Sequence, residues 1–153
     1  MKIRVLGKRG HSGGLEIIVV MLMIVGIAML PALPWVLGVL LGIALHARYY
    51  ISMTVLLEYS DVLALIMLWN GRKILRNINR RRPFIRENAR KIQAMAACCG
   101  LLAVGYVTYG SLRLSYFSFI MALAFLLMCL ILIISSELFR TAVEFKEEND
   151  LTI

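Results

Sequence analysis

Glu58 and Asp61 stand three residues apart in the largely apolar stretch from Tyr49 to Trp69. On a helix that spacing puts both carboxyl groups on one face. A charge at bilayer depth costs about 2.5–3.5 kcal/mol on insertion scales, and such groups usually face a bundle interior or a watery cavity. The chemistry this pattern offers is intramembrane binding of an ion, a proton or a cationic ligand. The plainer alternatives are a structural pair that is protonated or is satisfied by Tyr59, Ser60 or Arg113, or a span shifted so that the acids lie nearer an interface. Two acids on one face are not yet an enzyme. Proton-transfer catalysis also needs a substrate pocket and carboxyl groups with separated pKa values.

No other residues add a catalytic constellation. His11 and His46 are expected on opposite sides of the membrane and cannot share a metal. The cysteines are Cys98, Cys99 and Cys129, an odd number, all inside apolar runs. They fit neither a disulfide framework nor a zinc spacing. Small, soft packing residues are the expected role, with redox chemistry at the adjacent pair Cys98-Cys99 as the alternative. Serines and cysteines lack a nearby base, and no glycine-rich phosphate loop occurs. The chain reads as a non-enzyme with no cofactor and no metal site.

The elements that hold the two acids follow from hydropathy. Of the 153 residues, 61% are hydrophobic, against about 45–50% in soluble domains. The excess sits in uncharged runs, Ile92 to Leu112 and Leu114 to Ser136, and in Leu15 to Leu45, where Glu16 is the one charge. About 20 apolar residues cross the hydrocarbon core as a helix. Only helices and closed barrels satisfy their backbone groups in lipid. The runs lack strict alternation, so helices are expected. The basic tail before Leu15 resembles a signal n-region, but the run is too long and has no convincing cleavage site. A retained anchor is expected.

Charge sets the topology. Four Lys or Arg residues lie before Leu15, nine between Gly71 and Lys91, and two after Ser136. Arg48 and Arg113 are the remaining two, which leaves fifteen against two. Basic residues collect on the cytoplasmic side. An even number of crossings is expected, with the N-terminus, the long basic loop and the C-terminal tail in the cytoplasm. The basic run lacks interleaved aromatics and is bracketed by spans, so direct nucleic-acid binding is not expected. Attraction of Arg72, Lys73, Arg76, Arg80, Arg81 and Arg82 to anionic lipid is the better reading, at about 1 kcal/mol per side chain.

A first span over residues 15–34 is expected to stop at Pro31 to Pro34, because proline lacks a donor and clashes with the preceding turn. Residues 35–48 then form an apolar outer segment, interfacial or re-entrant, with Trp35, Tyr49 and Tyr50 at headgroup depth. The second span covers 49–69. Ile74, Leu75 and Ile78 recur at helical spacing beyond it, as if that helix continued out of the membrane with an amphipathic face. Pro83 breaks it within the basic loop, 70–91. The third span, 92–109, carries Ala96 and Gly100 as a small-xxx-small pair that permits close helix approach, with Gly105 and Gly110 further along. The fourth covers 114–136. The tail, 137–153, has Leu138, Ala142 and Phe145 on one face and an acidic end.

Several of these features together resemble one known family. They are the length with four spans, the pattern RRRPFIRENARKI with Pro83-Phe84, Asn88 and Ile92, and a chain end reading KEENDLTI. The sequence from Tyr50 to Ile153 is similar to the bacterial membrane-protein family DUF2975, and the first span fits more loosely. The segment between the first two spans departs from that pattern, being apolar where members tend to be more polar. The resemblance implies no chemistry and defines no catalytic residue. It implies a context, since such proteins are often encoded beside a small helix-turn-helix regulator.

The fold class expected is all-α, an integral membrane four-helix bundle with an amphipathic cytoplasmic loop and tail, in a bacterial inner membrane. The leading functional expectation is a regulatory or interaction role toward a cytoplasmic partner, such as a helix-turn-helix regulator. The tail would present Phe145, Glu147, Glu148, Asn149, Asp150 and Leu151 as a mixed apolar and acidic epitope. The alternative is intramembrane ion or ligand binding in transport or self-protection through Glu58 and Asp61. A third reading is a structural subunit, with the small residues of the third span forming a homo-oligomer or a hetero-complex.

Overall fold

The computed structural model describes residues 11–41, 47–80 and 85–151. Within them the chain forms α1 (His11–Leu41), α2 (Ala47–Asn79), α3 (Arg86–Arg113) and α4 (Tyr116–Leu151), with no strand among the described residues. All four are long and apolar enough to cross a membrane. The fold is the all-α four-helix one that hydropathy requires, and the chain is a multi-pass membrane protein. Ile17, Met21 and Ile24 on α1 and Phe117, Ile120 and Ile131 on α4 are exposed. That much apolar surface fits lipid as the surrounding solvent.

The helices pack in chain order. Among the described residues α1 makes close backbone contact with α2 alone, α2 with α1 and α3, and α3 with α2 and α4. Two clasps fix the ends that carry most of the arginines. Arg72 pairs with Glu16 at 3.9 Å, and Asn79 donates to Glu16 at 3.3 Å. Ser136 donates from its buried hydroxyl to the Ala89 carbonyl at 3.0 Å, and Arg86 meets Glu147 at 2.6 Å. The start of α1, the end of α2, the start of α3 and the end of α4 therefore lie at one end of the molecule. At the other end Tyr50 donates its hydroxyl to the Pro34 carbonyl, and Arg113 donates to Ser52 at 2.8 Å.

The first helix does not stop at its prolines. α1 carries both Pro31 and Pro34 inside a continuous 31-residue helix. Trp35 to Leu41, expected as an outer interfacial or re-entrant piece, is its last part; Gly42 to His46 lie outside the described residues. Continuing the helix forfeits two backbone donors. Unwinding it in an apolar medium would expose many more unpaired groups. α2 continues past Trp69 to Asn79 as one helix, as the spacing of Ile74, Leu75 and Ile78 suggests. Pro83, expected to break it, lies outside the described residues.

Small residues set the helix spacing. Gly100 faces the Cys129 sulfur, Gly105 faces the Tyr59 ring, and Gly110 faces Ser118 and Phe119. Ala96 and Ala103 are buried on the same helix. The small face of α3 is thus used within the chain. Cys98 packs with Leu63 and Leu102 in a core that Met67, Tyr106 and Phe125 border. Cys99 is fully buried beside the Met67 sulfur. The three cysteines are free thiols.

Candidate intramembrane site

α2 has two working faces, because side chains three and four apart share a side. One face meets α3. Tyr59 donates to the Leu101 carbonyl at 2.8 Å, Ser60 lies 3.3 Å from the Tyr106 hydroxyl, and Leu63 enters the core. The other face meets α1 through Tyr50, Asp61, Leu65 and Arg72. Helical periodicity places Glu58 on this second face with Asp61. Both acids are half-buried.

Gly26 of α1 lets Asp61 sit there. A Cβ on Gly26 would stand 2.8 Å from Leu65 Cδ2 and 3.4 Å from Asp61 Oδ1. Asp61 Oδ2 is buried and has no hydrogen-bond partner among the described residues. The three groups expected to satisfy the acids make bonds elsewhere. Tyr59 and Ser60 donate to backbone carbonyls of Leu101 and Leu56, and Arg113 bonds to Ser52.

Asp61 also lines a cavity of about 880 Å³. The walls include Val19 and Met29 of α1, Ser60 and Asp61 of α2, Leu102 of α3 and Phe125 of α4. The cavity exists because α1 closes against α2 and does not reach α3 or α4. Its lining is apolar apart from Ser60 and Asp61. Glu58 does not line it. An apolar cavity with a few convergent polar groups is the usual form of a small-ligand site.

The other expected residues separate by place. Among the lipid-facing candidates, Arg72 is tied to Glu16 and Lys73 lies 5.2 Å from the Trp69 ring centre, a cation–π contact. Arg76 and Arg80 are exposed, while Arg81 and Arg82 lie outside the described residues. In the tail, Phe145 is 64% exposed, Glu147 is held by Arg86, and Glu148 and Asn149 are exposed. The backbone of α4 includes Asp150 and Leu151, whose side chains lie outside the described residues. So do the side chains of His11 and His46. No metal-holding cluster occurs among the described residues.

Sequence reasoning passed over Gly26, whose place in the middle of an apolar run was the available signal. It also passed over Tyr106, which meets Ser60 and stacks on Phe125 at 5.4 Å between ring centres. A family model described as "Protein of unknown function (DUF2975)" matches residues 42–153. Comparisons with curated proteins and with solved structures give no match.

Proposed function

This chain belongs to the DUF2975 family, and we propose that it is a non-enzymatic protein of the bacterial inner membrane that binds an amphiphilic, cationic small molecule in its intramembrane cavity, in transport or self-protection. The observation that carries this reading is the partnerless, buried Oδ2 of Asp61 on the wall of that cavity. A buried acceptor left unpaired costs about 1–3 kcal/mol. A ligand that brings a cationic group or a donor to Asp61 and an apolar body to Val19, Met29 and Phe125 offsets that cost. Glu58 lies one turn away on the same face and adds to the acidic character. The test is binding of a hydrophobic cation, tetraphenylphosphonium, to the protein in nanodiscs. Asp61→Asn should weaken binding about tenfold, through loss of the charge that attracts the cation, and Glu58→Gln less. Equal affinity of wild type and Asp61→Asn rejects the reading.

A second reading rests on a different observation. Phe145 is exposed on a helical tail that Arg86 holds in place through Glu147. With Glu148, Asn149, Asp150 and Leu151 it supports docking of a cytoplasmic partner, such as the helix-turn-helix regulator the family context suggests. Fifteen of the seventeen basic residues fall in the N-terminal segment, the α2–α3 region and the C-terminal tail of the sequence, which supports a cytoplasmic location for those segments. Arg72, Lys73, Arg76 and Arg80 would then meet anionic lipid there. Crosslinking pull-down from native membranes separates the two readings. A partner lost on deleting residues 144–153 supports docking, and unchanged recovery without those residues rejects it.

A further inference from the structure

Where α3 and α4 emerge from their apolar stretches, a second cavity of about 290 Å³ opens between them. Its walls are Arg86, Ala89, Arg90 and Gln93 of α3 and Arg140 and Glu144 of α4. Three guanidinium groups and one amide thus face one carboxylate. Two of the guanidiniums are steadied from outside the cavity, Arg86 by Glu147 at 2.6 Å and Arg140 by Glu137 at 3.1 Å. Arg90 makes no ion pair among the described residues. The cavity also adjoins the first turn of α3, where Ile85 gives no side-chain cap. The partial positive charge of this helix start adds to the field and is partly offset by Glu87 in the same turn.

The depth of this cluster matters. Arg90 and Arg86 precede the uncharged stretch that starts at Ile92, and Arg140 follows the one that ends at Ser136. At 1.5 Å per residue the three lie about 3–9 Å beyond the apolar boundary. The headgroup layer on each side of a bilayer is about 5–7 Å thick. Planar guanidiniums are suited to bidentate contact with phosphate oxygens.

We propose that Arg86, Arg90, Arg140 and Gln93 form a binding site for the phosphate of an anionic lipid headgroup, seated between α3 and α4. The site is separate from the Asp61 cavity and does not depend on it. It also differs from the basic face of α2, whose Arg72, Lys73 and Arg76 are spread along one helix. Guanidiniums from two helices converge on one space here, which selects a single phosphate. A diffuse field attracts any anionic surface. Glu144 opposes the anion and limits its affinity.

Native mass spectrometry of the full-length protein in mild detergent tests this, with phosphatidylglycerol and phosphatidylcholine of matched chains as the lipids. The expected result is preferential retention of phosphatidylglycerol. Arg90→Gln should weaken that retention about fivefold, corresponding to about 1 kcal/mol for one basic side chain at the surface. Lys146→Gln, an exposed residue of α4 outside the cavity walls, should leave it unchanged. Glu144→Gln should tighten it, a gain that misfolding does not produce. Equal retention by wild type and Arg90→Gln, or an equal loss in Lys146→Gln, overturns the site. A separate arm adds millimolar inorganic phosphate without lipid and follows thermal unfolding. Arg90-dependent stabilisation by phosphate alone, equal to that by phosphatidylglycerol, overturns the lipid assignment in favour of a free phosphate.

Discussion

Asn77 on α2 donates a 2.8 Å hydrogen bond to the side-chain oxygen of Asn88 on α3, and Asn88 is fully buried. This amide pair spans the break between the two helices. It fixes their register at the arginine-rich end, close to where Ser136 bonds to the Ala89 carbonyl.

Replacing Asn77 by Ala leaves the buried Asn88 oxygen without this donor. The expected loss is about 0.5–1.5 kcal/mol, the net worth of one hydrogen bond. Thermal unfolding in detergent reads it. A double-mutant cycle with Asn88→Ala should give a coupling energy of at least about 0.5 kcal/mol. Additive effects would show that the two amides act separately.

Gly105→Ala should destabilise more than Gly26→Ala, although both sites are crowded. A Cβ at Gly105 meets Tyr59 Cε1 at 2.7 Å, and the Tyr59 ring is tethered by its bond to the Leu101 carbonyl. At Gly26 the closest atom is the end of the Leu65 side chain, which can rotate away. Overpacking of a fixed neighbour costs about 1–3 kcal/mol. Tyr59→Leu in the Gly105→Ala background should recover part of the loss. If Gly26→Ala proves the more damaging, the tether has no such role.

Leu114→Gly should stabilise the protein by about 1–2 kcal/mol. Leu114 caps α3 in the left-handed conformation at φ 51° and ψ 41°, with its amide bonded to the Gly110 carbonyl. A side chain there crowds the following carbonyl by about that amount, and glycine does not. Leu114 is 82% exposed, so the loss of packing is small. A lower melting temperature in Leu114→Gly would show that the side chain holds the turn.

Asp61→Leu should raise the melting temperature while abolishing binding of the hydrophobic cation. Removing a buried, unpaired acceptor relieves a cost of about 1–3 kcal/mol. Stability sacrificed at a binding site is the expected trade. Parallel melting curves and binding isotherms decide it. A fall in stability would assign Asp61 a structural role against α1.

The distribution of hydropathy along the chain determined the four helices and their order. The crowding of arginine and lysine between Gly71 and Lys91 pointed to the shared end that the Glu16–Arg72 and Arg86–Glu147 contacts hold together. These features are local sums over neighbouring residues, so they survive without knowledge of packing. The three-residue spacing of Glu58 and Asp61 put them on one face, again by local geometry.

Tertiary structure decided which face meets which helix. A membrane helix is apolar nearly all round, so its periodicity hardly distinguishes a lipid-facing side from a packed one. Ile17 and Val19 read alike in sequence, yet Ile17 is exposed and Val19 lines the cavity. The same holds for the continuation of α1 through Pro31 and Pro34. The cost of unpaired backbone in lipid outweighs the local preference that proline imposes. The meeting of Arg90 with Arg140, fifty residues further along, depends on how closely α3 and α4 approach. That approach is set by Gly100 against Cys129 and Gly110 against Phe119, contacts that no local pattern specifies.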